Sequence, residues 1–141
     1  MIYLFLTLTC DNNFLFGIFC SQMFLILSGS DNRVHVYCED LVTHMASEKE
    51  DSGFFPEFKD SFPSVVLWID FYIIPEKYRF TSVGCECGAF FLFIFSLKSN
   101  SIVSTCTTNL GTSVTSSRFF ATEDHVNLLV TNALLPAMIY S

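Results

Sequence analysis

The stretch that most constrains the fold runs from Ser64 to Ser96 and reads SVVLWIDFYIIPEKYRFTSVGCECGAFFLFIFS. It contains three apolar runs separated by two turn clusters, Pro75-Glu76-Lys77 and Gly84–Gly88. Short apolar runs bounded by Gly, Pro and charged residues are typical of β-strands, because helices usually need longer periodic segments. We therefore predict three consecutive strands here: Val65–Tyr72, Tyr78–Val83 and Ala89–Leu97.

Similar strand patterns lie on both sides of this stretch. The cluster Ser28–Asn32 tolerates the positive φ of a tight turn, and Arg33–Tyr37 then alternates, with Val34 and Val36 on one face. This predicts a β-hairpin. The Ser/Thr-rich piece Thr107–Ser117 is expected to be a loop. Further strands are predicted in the apolar runs before residue 28 and at Ile102–Thr107, Phe119–Ala121, Val126–Thr131 and Ala137–Tyr140.

Three hairpins share one layout, in which an apolar strand, a small or polar turn and a second apolar strand follow each other. They read LSGSDNRVHVY (27–37), VGCECGAFFLF (83–93) and VTNALLPAMIY (130–140). Matching positions lie 55 and then 47 residues apart, near the 40–50 residue period of β-propeller blades. The predicted fold is all-β, a diverged WD-like β-propeller fragment of about two to three blades. A β-sandwich stays open as the alternative, since it also produces hairpins at such spacing.

The repeat divides the chain into four parts. We expect the end of one blade at 1–38, an acidic loop at 39–63, a central four-stranded blade at 64–107 and a partial following blade at 108–141. Seven of the fourteen acidic residues lie between Glu39 and Asp60, which predicts a solvated loop with at most a helical turn near Leu41–Ala46. A loop of this length is either a simple insertion or a partner-binding element. Its end should be anchored by Phe54, Phe55 and Phe58.

Charge and cysteine content limit the classes of partner. A net charge of −7 disfavours a nucleic-acid partner and gives no support for binding an anionic membrane surface. The six cysteines are interpreted as reduced thiols of a cytoplasmic protein, and the alternative is a small secreted or membrane-associated protein in which they pair. A signal peptide would require a basic residue near the N-terminus, but no Lys or Arg precedes Arg33. No apolar run approaches the length of a membrane helix.

The residues that could carry chemistry do not form a recognisable constellation. Cys85 and Cys87 form one C-x-C pair, whereas a structural zinc site needs four ligands. His35, His44 and His125 lie in three different segments, and the G-x-S-x-G nucleophile elbow is absent. We therefore predict a protein that is not an enzyme and has no catalytic residue, no bound metal or cofactor, and no small-molecule substrate.

Six residues are instead predicted to have structural roles. Trp68 is expected to be the packing anchor of the central blade. Asp70 is expected to share a face with Val66 and Trp68, and to accept hydrogen bonds from backbone amides of a tight turn, because a partly buried carboxylate needs such partners. The other four are the turn residues Gly29, Asp31, Gly84 and Gly88.

The segments LSGSDNRVHVY, FPEF, SVVLWID, TSVGCECG and LLVTNALLPAMIY resemble the kaptin family in order and spacing, over roughly Phe24 to Tyr140. The resemblance implies an all-β, propeller-like protein with a non-enzymatic role. It implies protein partners, namely other subunits of the KICSTOR complex, the GATOR complex and actin filaments. It also implies negative regulation of TOR complex 1 in nutrient signalling, and a cytoplasmic protein found at the lysosomal membrane and the actin cytoskeleton.

This chain departs from the family pattern in two respects. Family members are substantially longer, so the resemblance implies that the chain is a fragment or a truncated gene model. A truncated product without independent function is therefore an alternative to a scaffold. The run Ala89–Leu97 is also more apolar than the alternating strand expected from the family, and if exposed it would promote aggregation. Truncation implies that residues 1–141 expressed alone would be insoluble or molten.

Overall fold

A computed structural model describes residues 3–9, 22–40, 45–48, 55–132 and 138–141. This part of the chain contains eleven strands and one 3₁₀ turn, Pro56–Phe58, and no α-helix. The prediction of an all-β fold is confirmed. The strands are β1 (Tyr3–Thr9), β2 (Gln22–Ser28), β3 (Val34–Asp40), β4 (Met45–Glu48), β5 (Val66–Ile74), β6 (Tyr78–Cys85), β7 (Ala89–Ser96), β8 (Ser101–Asn109), β9 (Val114–Ala121), β10 (Val126–Asn132) and β11 (Met138–Tyr140).

The strands form three antiparallel sheets, each built from consecutive strands. Sheet A has the order β1-β2-β3-β4, sheet B the order β5-β6-β7-β8, and sheet C the order β9-β10-β11. Each of the three repeated hairpins joins the second and third strands of its own sheet. The repeat in the sequence therefore corresponds to a repeat in the structure.

Strands β5, β6 and β7 of sheet B are covered on both faces. Because side chains alternate along a strand, Val83 and Cys85 of β6 face sheet A, whereas Phe80 and Ser82 face sheet C. One core cluster joins sheets A and B through the aromatic segment around Phe55, and a second joins sheets B and C. The first contains Ile26, Val34, Val36, Phe55, Phe58, Phe62, Val66, Ile69, Val83, Cys85 and Ala89; the second contains Phe90, Leu110, Val114, Phe119, Leu128 and Val130.

This covering explains why β7 is apolar on both faces. Phe91 and Phe93 pack against the cluster shared with sheet A, and Leu92 packs against the cluster shared with sheet C. The run is therefore buried or half-buried along its length rather than exposed.

The three sheets are arranged like neighbouring propeller blades that do not close a ring. The first strands of the sheets contact each other in turn, β1 with β5 and β5 with β9. A β-sandwich would have only two packed sheets, whereas here a middle sheet lies between two others. The fold class is that of a β-propeller-like fragment. The boundaries of the four parts given above stay a prediction.

Two predicted loops contain strands. Met45–Glu48 forms β4, so Met45 and Ala46 are not part of the helical turn predicted near Leu41–Ala46; residues 41–44 lie outside the described part. Most of the predicted loop Thr107–Ser117 belongs to β8 or β9. Thr favours strands, but almost all of β8 is exposed, so it lacks the apolar alternation that identifies a half-buried strand.

The second hairpin turn is shorter than predicted. Gly84 and Cys85 belong to β6, and the turn is closed by a hydrogen bond from the Gly88 N–H to the Cys85 carbonyl, 3.1 Å long. Phe55 and Phe58 are buried as predicted, whereas Phe54 lies outside the described residues. Among the helical residues that the structure describes, none forms a helix long and apolar enough to cross a membrane.

Candidate functional site

A β-bulge in β5 decides which side chains face sheet C. Val66 pairs with Cys85 and Trp68 pairs with Gly84, so Leu67 is the extra residue. Val66 and Ile69 consequently both face sheet A. Trp68 and Asp70 face sheet C, so Asp70 shares its face with Trp68 but not with Val66. The expectation that all three lie on one face assumed a regular strand and is wrong.

Polar contacts join sheet B to sheet C at this seam. The indole Nε1–H of Trp68 donates to the Ser117 carbonyl over 3.0 Å. The Ser82 and Ser117 hydroxyls are buried and hydrogen-bonded, with 2.7 Å between the oxygens. Trp68 therefore connects sheet B to sheet C through this hydrogen bond, and its role as the packing anchor of the central blade stays a prediction.

The Asp70 carboxyl group lies half-buried at the same seam. Its Oδ1 accepts a hydrogen bond from the Phe71 N–H, 2.9 Å away. Burial raises the pKa of Asp70, while the backbone N–H groups of Phe71 and Phe119 and the charge of Arg118 oppose the rise. The donors to the Asp70 carboxylate are backbone amides, as predicted, but these amides belong to strands β5 and β9 rather than to a tight turn. Its carboxylate is thus occupied in joining two strands.

Gly84 permits the close approach of sheets B and C. A Cβ built at this position would lie 2.4 Å from Cγ1 and 2.7 Å from Cβ of Val114 in β9. Real Cβ atoms are not found so close to other heavy atoms. Gly84 is therefore required because a side chain would not fit between the two sheets, and not because a turn needs its conformational freedom.

The interface of sheets A and B contains a buried ion pair that the sequence reasoning missed. Arg79 on β6 donates from Nη2 to both carboxylate oxygens of Glu57, over 2.9 and 3.0 Å, and the Thr81 hydroxyl donates to Oε1 over 3.1 Å. Both charged side chains have no exposed surface. The guanidinium group lies between the rings of Phe55 and Phe95, 4.4 Å from each centroid.

Burial dominates the electrostatics of this pair. It raises the pKa of Glu57 and lowers the pKa of Arg79, in each case against the attraction of the partner charge. The prediction of a solvated acidic loop is therefore wrong for Glu57. A signal was present in the sequence: Arg79 occupies an inward position of an apolar strand, and a buried cation needs a carboxylate.

Backbone contacts attach the segment after Glu57 to the first hairpin. The Phe62 N–H donates to the Asn32 carbonyl over 2.8 Å, and Arg33 donates from Nη2 to the Lys59 carbonyl over 3.1 Å. The segment from Phe55 to Phe62 thus joins the turn of sheet A to the face of sheet B.

The turn residues lie apart from the B–C seam. Asp31 accepts from the Arg33 N–H over 3.1 Å, and its Oδ2 lies 2.9 Å from Nε2 of His35. Its slight burial raises the pKa of Asp31, but these hydrogen bonds outweigh that effect and hold it below the ordinary value. A Cβ at Gly29 would lie 2.5 Å from Oδ1 of Asp31. Gly88, in the turn of sheet B, has φ +94° and lies against the Thr112 backbone.

The thiols of the second hairpin differ in environment. Cys85 is buried, which raises the pKa of its thiol to about 12. Cys87 is exposed, and hydrogen bonds from the Ser64 hydroxyl and the Ala89 N–H lower the pKa of its thiol. Both are free thiols, as is Cys106, while the side chains of Cys10, Cys20 and Cys38 lie outside the description. Across the described ranges, no group of three or more His, Cys, Asp or Glu residues is placed to hold a metal ion.

The structure therefore brings together three of the six predicted structural residues, Trp68, Asp70 and Gly84, at the seam between sheets B and C. It places Gly29 and Asp31 in the first turn and Gly88 in the second. The contacts at these positions connect strands and sheets to each other.

Comparisons with known proteins identify the family of the chain. The chain is similar to the KICSTOR complex protein kaptin of Mus musculus, with 29% identity over 127 residues, covering 82% of this chain and 29% of the mouse protein. The chain thus spans less than a third of the length of that relative. No solved structure matches it. The family model described as KICSTOR complex protein kaptin matches residues 17–127, most of the chain, and the chain therefore belongs to the kaptin family.

Proposed function

We propose that the chain acts as a non-enzymatic scaffold of the kaptin type, through contacts with other proteins. The observation that carries this proposal is the family match over residues 17–127. It is supported by the use of the charged and polar groups at the sheet interfaces: Glu57 and Arg79 bind each other, and Asp70 binds backbone amides. Groups engaged in this way hold blades together and leave the surface to contact partners.

The partners that we propose are other KICSTOR subunits and, through them, the GATOR complex. The mouse relative is named as a protein of the KICSTOR complex. The consequence would be to lower signalling by TOR complex 1 at the lysosomal membrane when nutrients are short. The chain would reach the lysosome from the cytoplasm by binding proteins, since its net charge of −7 does not favour an anionic lipid surface.

The test is recovery of KICSTOR subunits on the affinity-tagged full chain expressed in cells that lack kaptin. We expect these subunits to co-purify, and phosphorylation of TOR complex 1 substrates to fall again after amino-acid withdrawal. The matched control is the Gly84→Ala chain, in which the contact of sheets B and C is destabilised by overpacking against Val114 and from which we expect a lower recovery. The proposal fails if the unaltered chain recovers no KICSTOR subunit.

We also propose an association with actin filaments, which has a separate test. Actin is itself acidic, so the contact would have to be made by an uncharged or basic surface of this acidic chain. Co-sedimentation with filaments at two salt concentrations measures it. Binding that persists at the higher concentration supports such a contact, and a chain that stays in the supernatant at both rules it out.

A further inference from the structure

The outer edge of β8 is long and carries no charge. β8 is the last strand of sheet B and pairs with β7. Its nine residues, Ser101–Asn109, include no Lys, Arg, Asp, Glu, Pro or Gly. Among the strands that the structure describes, none pairs with its other side. The backbone N–H and C=O groups that point away from β7 can therefore pair with a further strand.

This edge lacks most of the features by which proteins prevent pairing between molecules. Such features are short edge strands, prolines, lysines and bulges. β8 has one of them, a bulge at which Val103 is the extra residue. Beyond the bulge, its pairing with β7 is regular over residues 104–109. The fourth strand of sheet A, β4, is by contrast only four residues long.

The side chains of β8 leave room for a strand beside it. Every residue of β8 except Ile102 is exposed, and Val103 is 54% exposed. None of the side chains of residues 104–109 belongs to either core cluster. A second strand can therefore lie along residues 104–109 without displacing any part of the core.

We propose that this edge joins two copies of the chain, whose β8 strands pair in antiparallel orientation about a two-fold axis at Cys106. Side chains that face each other across such a pair lie on the same face of the combined sheet. The facing pairs are Cys106 with Cys106, Thr105 with Thr107, and Ser104 with Thr108. The inference goes beyond the proposed scaffold function, because the partner is a second copy and not a KICSTOR subunit.

The chemistry of the edge favours a second copy as the occupant. Two copies with a net charge of −7 repel each other, but β8 itself brings no like charges together. Centring the axis on Cys106 places hydroxyl-bearing side chains opposite each other on both sides of it, and such cross-strand pairs of Thr and Ser stabilise sheets. Two-fold dimers that use the same patch on both copies are also the commonest oligomers. One short strand pair buries less area than a stable dimer needs, so we expect the dimer to be weak.

The test uses the full chain fused to a monomeric carrier protein without cysteine. Sedimentation equilibrium at up to about 200 μM measures the association, since this range includes weak complexes. Brief oxidation by copper phenanthroline, followed by peptide mapping without reduction, reports the register. Facing residues of antiparallel strands have Cα atoms about 4.5–5.5 Å apart, which suits a disulfide between the two Cys106 residues. Exposed Cys87 is the control for random collision, and protection of buried Cys85 from alkylation reports the folded state.

Two variants with charges at the exposed positions 105 and 107 form a matched pair. In the Thr105→Lys/Thr107→Glu chain, each lysine faces a glutamate of the second copy. In the Thr105→Lys/Thr107→Lys chain, lysines face each other, although this chain has the smaller net charge. Charges of opposite sign stabilise a cross-strand pair, whereas like charges destabilise it.

We expect the unaltered chain to dimerise and to form the disulfide between two Cys106 residues in preference to any bond at Cys87. We expect the Lys/Lys chain to dimerise about tenfold or more weakly than the Lys/Glu chain. A monomer at every concentration overturns the proposal, as do equal dissociation constants for the two variants or a disulfide yield at Cys87 equal to that at Cys106. Recovery of KICSTOR subunits is measured separately, so failure of the dimer and failure of the scaffold function are distinguishable.

Discussion

Replacing Glu57 with alanine should destabilise the chain more than any other single loss of a charge among the described residues. Arg79 would keep its charge between the rings of Phe55 and Phe95, with no exposed surface, while losing the carboxylate that it binds through two hydrogen bonds. Removing one partner of a buried ion pair costs about 3–5 kcal/mol. Since domains are stable by only about 5–15 kcal/mol, the loss is a large part of the total.

A double-mutant cycle shows whether the pair, and not the size of the side chain, is responsible. Burial shifts the pKa of both groups against their charged forms, so desolvation offsets much of their attraction. We therefore expect the Glu57→Leu/Arg79→Met chain to be within about 1 kcal/mol of the unaltered chain or more stable, since apolar replacements of buried pairs are often neutral or stabilising. The effects of the single substitutions should be far from additive.

Urea unfolding followed by the fluorescence of the single tryptophan, Trp68, measures the Glu57→Ala chain and the four chains of the cycle, namely the unaltered, Glu57→Leu, Arg79→Met and double chains. Trp68 is a suitable reporter because its indole donates to Ser117 across the B–C seam, whereas the ion pair lies at the interface of sheets A and B. A cost below about 1 kcal/mol for Glu57→Ala, the range of exposed pairs, would refute the argument. So would a double variant as unstable as the worse single one.

The remaining predictions concern pH and two glycines. Burial raises the pKa of Glu57, and the Arg79→Met substitution removes the positive charge that opposes this rise. A group whose pKa is raised in the folded state contributes stability that is lost as the pH rises through that pKa. The free energy of unfolding of the Arg79→Met chain should therefore approach that of the unaltered chain as the pH is lowered from about 8 to about 5, and a deficit independent of pH would contradict this. Gly84→Ala should cost about 1–3 kcal/mol by overpacking against Val114, and less in a Val114→Ala background; equal costs in both backgrounds by urea unfolding would contradict the close approach. Gly88→Ala should lower the melting temperature more than Gly111→Ala, because both glycines have positive φ but only Gly88 lies against backbone atoms; the reverse order would be evidence against this packing.

The sequence predicted most strands because local patterns define them. Turn chemistry at Ser28–Asn32 and Pro75–Lys77 sets the hairpins, and the apolar runs between the turns are long enough for strands only. The internal repeat then identified equivalent hairpins, which the structure places between the second and third strands of three successive sheets.

The features that the sequence did not reveal depend on neighbours distant in the chain. β8 is exposed on most of its length, so its polar composition resembles a loop. The bulge at Leu67 changes the faces of β5 without any glycine or proline to mark it. The partner of Arg79 lies 22 residues away in an acidic segment, and the reason for glycine at position 84 lies in Val114 of the next sheet.

The most direct test of the account is a disulfide across the seam between sheets B and C, because the central claim is that sheet B lies between two neighbouring sheets. The side-chain oxygens of Ser82 and Ser117 lie 2.7 Å apart and are buried. Mild oxidation of the Ser82→Cys/Ser117→Cys chain should join these two positions within one molecule, as detected by peptide mapping without reduction. The matched Ser82→Cys/Ser116→Cys chain should not, since residue 116 points to the opposite face of β9. Equal yields in the two chains, or no bond at 82 and 117, would contradict the packing of sheet C on sheet B.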